Sequence, residues 1–222
     1  MSAPARALTV RHVQLLRALF AAAAALMITF SPDHSAGVGL SVFSGFVLAT
    51  SLVFVLAAWL VLPAGRRWSA MLLAVLGFLA GVITSVPMWR SEDLFFAVVS
   101  IWALVTGAIE VLAGIGARRS GDPAARDAIA VGAFGLLLGV LLLVIPAGFW
   151  HEYTIAGAGT FQLTGIILGV GMLGGYAAIV AVFLGIAGLT PRAAAASAEA
   201  EDVAPGARQI AGTAPTERGG ER

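Results

Sequence analysis

The chain has 222 residues, 59% of them hydrophobic and only 11% charged; soluble domains sit near half apolar and a quarter charged, which excludes a single water-facing core. Its mean hydropathy of +0.96 assigns it to a bilayer, where a spanning helix needs about 20 apolar residues. A formal net charge of +1 gives no ground for nucleic-acid binding, and the lack of cysteine excludes disulfides, thiolate metal ligands and a cysteine nucleophile.

In chain order, residues 1–12 read as a cytoplasmic N-terminal segment and residues 13–190 as a membrane domain. The spans are expected at 13–31, 38–62, 69–89, 94–116, 126–147 and 162–188, followed by a disordered cytoplasmic tail over 191–222. Alternate apolar runs stop at Pro32, Pro87 and Pro146. Sliding the second copy onto the first by about 55 residues lays Thr84 on Thr29, Ala80 on Ala25 and Gly77 on Ala22. The period predicts an all-α membrane protein of six transmembrane helices, built as three repeated antiparallel hairpins. Short connectors, among them Gly148–Gly159 before the last span, enforce antiparallel neighbours. The competing reading makes 1–36 a cleaved signal peptide with an apolar stretch from Leu19 to Phe30. Two points weigh against it: the segment matches two later copies, and the small-x-small site around His34-Ser35-Ala36 is poorly formed.

The three prolines read as helix stops, because proline lacks an amide donor and pushes the preceding residue out of helical geometry. Ser91, Glu92 and Asp93 suit the start of the fourth helix, where the dipole favours negative charge, and Asp122-Pro123 suits the cap and first turn of the fifth. All 13 basic residues are arginine, a bias typical of a GC-rich bacterial genome. Twelve of them fall at the termini and in the second and fourth connectors; Arg90 alone falls on the other side. By the positive-inside rule both termini are cytoplasmic in a multi-pass cell-membrane protein. Trp68, Trp89 and Trp150 fall at span ends, where interfacial anchors belong.

Small residues at four-residue spacing allow helix backbones to approach closely in lipid. The pairs are Ala21 and Ala25, Gly77 and Gly81, Gly135 and Gly139, Gly165 and Gly169, and Gly171 and Gly175. Packing inside the bundle, homo-oligomerisation and docking of another membrane protein remain open uses.

Glu110 reads as the one acid inside a span and Arg17 as the deepest base. Both fall about 22–24 Å from the outer face at 1.5 Å per residue, so an ion pair between the first and fourth helices is expected. A proton or ion path and simple interfacial exposure are the alternatives. Asp33-His34 and His151-Glu152 follow two of the prolines, on loops. Ordinary solvated residues, a pH sensor and a divalent-metal site are the three readings there, and no helical spacing supports the metal. No histidine is expected within a span. Ser44, Thr106 and Thr164 have no base beside them in sequence, so they are expected to bond neighbouring backbone; no enzyme activity or cofactor is expected.

The stretch Ser100-Ile101-Trp102-Ala103-Leu104-Val105-Thr106-Gly107-Ala108-Ile109-Glu110-Val111-Leu112-Ala113-Gly114-Ile115, with Arg118-Arg119 after it, resembles the fourth-helix signature of the HdeD family. The opening Leu16-Arg17-Ala18-Leu19-Phe20 and the helix-ending prolines are similar too, and the resemblance covers residues 11–190. It implies a small bacterial membrane protein of six spans with a link to acid or envelope stress. The alternatives are a small transporter or channel subunit and an assembly partner of another membrane protein.

Overall fold

The computed structural model describes residues 8–190 apart from Pro123, Ala147 and Ala158; of Arg66 only the backbone is described. The chain divides into a unit of Met1–Leu189, which holds every element, and a unit of Thr190–Arg222, of which only Thr190 is described. The expected tail and the role given to Pro123 therefore lie outside the described residues.

Among the described residues six α-helices, each long and apolar enough to cross a membrane, make this an all-α membrane fold: α1 (Val10–Thr29), α2 (Ala36–Leu60), α3 (Ala64–Ser85), α4 (Glu92–Arg119), α5 (Ala125–Val144) and α6 (Gly165–Leu189). At 20 to 28 residues each they are about 30–42 Å long, enough for a hydrocarbon core of about 30 Å. Many large apolar side chains face outward, among them Leu19, Phe78, Leu143 and Val182. Such a surface would drive association in water, whereas lipid covers it at no penalty.

Local chemistry sets the helix ends. Val86 and Ile145 precede prolines and are extended, with ψ of 112° and 121°, so α3 and α5 stop there. The third span therefore ends at Ser85, short of the expected residue 89, and Pro87–Trp89 form a single 3-10 turn. Arg90 finishes α3: its guanidinium donates to the carbonyls of Thr84 at 3.2 Å and Ser85 at 3.3 Å, and to Ser41 Oγ on α2 at 2.6 Å. Ser91 caps α4 by accepting from the Leu94 amide at 3.1 Å, with Glu92 and Asp93 in the first turn. The expected cap of α5 is displaced. Ala124 holds the cap position, and Asp122 accepts from its amide at 2.9 Å in the turn before it.

The last connector also differs from expectation. Instead of a loop, strands β1 (Trp150–Ile155) and β2 (Gly159–Thr164) form an antiparallel hairpin, so α6 begins at Gly165 rather than 162. Aromatic and β-branched residues recur along both strands, and Gly157 adopts a φ of 83° in the turn, a conformation that favours glycine. Tyr153 pairs with Phe161, their rings stacked at 5.9 Å, and Thr154 pairs with Thr160.

Helix pairing is the larger surprise. The most extensive contacts join α4 to α5, α1 to α6 and α2 to α3, while α1/α2, α3/α4 and α5/α6 touch far less. The expected hairpins grouped the helices across the proline-side links; the tight pairs form across the arginine-side links instead, and the two terminal helices close the ring. Glycine decides this. A Cβ on Gly107 would lie 2.7 Å from the Gly132 carbonyl oxygen, and one on Gly132 would lie 2.6 Å from that of Gly107, so α4 and α5 meet backbone to backbone. Gly135 and Gly139 face Ala103, Gly107 and Leu104 of α4, while Gly77 and Gly81 face Val47, Leu48 and Ser51 of α2. Gly169 packs on Phe95 and Phe96, and Ala21 and Ala25 are buried. Gly171 and Gly175 instead face open space, and Gly174 is the residue that seats α6 against Ile28 of α1.

Candidate functional site

Four residues at successive i+4 positions on α4 carry the site: Trp102, Thr106, Glu110 and Gly114 share one face. Thr106 Oγ1 donates to the Trp102 carbonyl at 2.6 Å. Glu110 is 7% exposed, and its Oε1 accepts from Arg17 Nη2 of α1 at 2.5 Å. Arg17 lies over the Phe54 ring of α2, 4.6 Å from its centroid, a flat and weakly hydrated partner suited to a guanidinium out of water. One turn earlier on α1, buried Gln14 donates from Nε2 to Asp127 Oδ2 of α5 at 2.6 Å. Polar links thus tie α1 to α4 and, one turn nearer its start, to α5. Asp127 lies in the first turn of α5, so Glu110 is not the one acid inside a helix.

Two cavities meet at the ion pair. The larger, of about 160 Å³, opens where α1, α3 and α5 begin and α2 and α4 end; Val10, Val61, Ser69, Ala117 and Ala125 line it. Arg11, Arg67, Arg118, Arg119 and Arg126 belong to these same helix ends. This vestibule is mostly apolar and reaches Arg17, Phe54, Leu73 and Glu110 at its floor. Those four residues also line the second cavity, of about 30 Å³, which lies deeper and adds Thr50, Ser51, Thr106, Trp102 and Tyr176. Trp102 is its aromatic wall, meeting Phe43, Phe46 and Tyr176 edge-on with centroids 5.1, 6.1 and 6.2 Å apart. Beyond it Leu40, Phe43, Phe95, Val99 and Val170 are all fully buried and fill the bundle.

The outer residues singled out in the sequence are placed differently from one another. Asp33 is committed to the start of α2, accepting from the Ser35 amide at 2.8 Å and the Ser35 hydroxyl at 2.9 Å. His34 sits half-buried in the same turn. His151 and Glu152 lie exposed on β1, a strand rather than a loop, and face opposite sides of the hairpin. Among the described residues no group of three or more histidine or carboxylate side chains is arranged to hold a metal. His12 lies within α1, contrary to expectation, with its ring Nδ1 2.9 Å from Thr9 Oγ1. Ser44 Oγ donates to the Gly81 carbonyl at 2.9 Å, and Thr164 Oγ1 accepts from the Ile167 amide at 3.4 Å.

Sequence reasoning missed Gln14, Thr50, Phe54, Asp127 and Tyr176. A helix-facing signal existed for Gln14, an amide one turn before Arg17 in an apolar run. Thr50 and Tyr176 carry none, because α2 and α6 are apolar all round and nothing local marks their inner face. Among the described residues the geometry defines a class: a six-helix membrane protein in which a buried ion pair stands between a vestibule and a smaller inner cavity. Compared with known proteins, the chain matches no family model, no curated protein and no solved structure.

Proposed function

We propose that this chain is a non-enzymatic protein of the bacterial cell membrane, with both termini cytoplasmic, that acts in acid or envelope stress physiology. The stress role rests on the HdeD resemblance of the fourth span alone. The observation that carries the membrane placement and orientation is the sorting of charge: arginine gathers at the helix ends around the vestibule, and Arg90 stands at the other. The non-enzymatic reading is supported by the commitment of polar side chains to structure. Glu110 is bonded to Arg17, and the Ser44 and Thr106 hydroxyls are bonded to carbonyls. The test is acid-challenge survival of a deletion strain, complemented with the wild type and with a His34→Gln/His151→Gln variant. Wild-type rescue is expected. Equal survival of the deletion strain overturns the stress role, and full rescue by the double variant removes the histidine sensor from it.

The two cavities favour a second reading, a small transporter or channel subunit, since the vestibule leads from one end to a polar floor within the bundle. Reconstitution into liposomes with measurement of proton and monovalent-ion flux tests it; flux no greater than in empty liposomes rejects it.

A further inference from the structure

We infer that the inner cavity is a water-binding site, filled through the vestibule from the arginine-rich end only. Thr50 is 9% exposed, and its Oγ1 is buried without a hydrogen-bond partner, although it lines the cavity. A buried hydroxyl left in that state is a group that calls for a ligand. The space of about 30 Å³ exceeds the roughly 10–15 Å³ that one water requires.

The lining has the right mixture of donors and acceptors. Thr50 and Tyr176 bring hydroxyls. Ser51 and Thr106 spend their hydrogens on the carbonyls of Val47 and Trp102, both at 2.6 Å, which leaves their oxygens as acceptors beside the Glu110 carboxylate. A water in such a site finds the two to four partners it needs.

Charge selects the ligand. Among the described residues the ionisable groups on the cavity are Arg17 of α1, Glu110 of α4 and Tyr176 of α6. Arg17 and Glu110 are already bonded to each other, so the site is neutral and has no excess charge to attract an ion. Asp122 and Asp127 line only the vestibule. The fully buried Phe43 and Phe95 stand beyond the cavity, so in this conformation the chamber is closed on that side.

The chamber does not depend on any role in stress, and X-ray radiolytic hydroxyl labelling of the full chain in proteoliposomes reads it directly. Hydroxyl radicals form from water, so labelling marks side chains that touch it. Phe46 lines the cavity at 7% exposure, while Phe43, one turn away on α2, does not line it and is 0% exposed. Phe43 is therefore the dry reference, and the plugged variant below is the control for exposure. Phe46 is expected to label roughly tenfold faster than Phe43, as contact with a bound water predicts. Equal rates overturn the water site. Filling the vestibule with Ala113→Trp, or with Ala117→Trp if the first does not fold, should bring Phe46 down to the Phe43 rate. Undiminished labelling of Phe46 in a folded, plugged variant overturns entry from the arginine-rich end.

Discussion

At the scale of single residues, the Arg17–Glu110 pair is the most consequential contact in the bundle. Both side chains are largely withdrawn from solvent, at 16% and 9% exposure. Removing one partner strands the other charge, so Glu110→Ala should lower stability by about 3–5 kcal/mol. Thermal unfolding in detergent checks this, and the double swap Arg17→Glu with Glu110→Arg should recover most of the loss. A swap that unfolds as readily as the single variants would show that the pair is held by its surroundings rather than by its charges. Arg90 offers a second case. Its loss leaves two carbonyls at the end of α3 and Ser41 without their donor, and Arg90→Ala should reduce stability by about 1–2 kcal/mol in the same assay.

At the scale of elements, two helix glycines in opposite surroundings predict opposite sensitivities. Gly132 has no room for a side chain, because the atom in the way is a backbone carbonyl oxygen that cannot rotate aside. Gly132→Ala should force α4 and α5 apart at a cost of about 1–3 kcal/mol, read as a lower midpoint of unfolding. Gly171→Ala is the matched control: its added methyl meets open space, and in a helix interior alanine is favoured over glycine, so stability should hold or rise by up to about 1 kcal/mol. In the β-hairpin the constraint is conformational rather than steric. Gly157→Ala puts a side chain at a φ of 83° and should weaken the turn by about 1 kcal/mol, seen as faster amide exchange in residues 150–164 with the bundle unchanged.

At the scale of the whole molecule, orientation is the prediction that follows from charge. Reporters fused at the N-terminus, in the α2–α3 link and in the α4–α5 link should all report the cytoplasm, while one in the hairpin turn should report the opposite side. A mixed result would reject the assignment of the arginine-rich end to the cytoplasm. Much of the architecture was legible beforehand because its causes are local. The length of an apolar run, a proline that makes its predecessor extended and an arginine count each act without reference to the rest of the chain. Depth arithmetic along straight helices was enough to put Arg17 and Glu110 at one level. It could not show that Phe54 lies under Arg17, nor that Asp127 takes Gln14.

The sequence by itself determined six helices, where each ends within a few residues, and which ends share a charge. The tertiary structure alone decided which helices pair. The links at 61–63 and 120–124 are shorter than those at 30–35, 86–91 and 145–164, and the fit of Gly107 to Gly132 and of Gly174 to Ile28 seats the pairs that form. It also decided the hairpin, where short strands of mixed polarity resemble a loop until their register aligns Tyr153 with Phe161. The chamber belongs to the same category. Thr50 and Tyr176 are distant in sequence on helices apolar on every face, and only the rotation imposed by packing turns both of them toward Glu110.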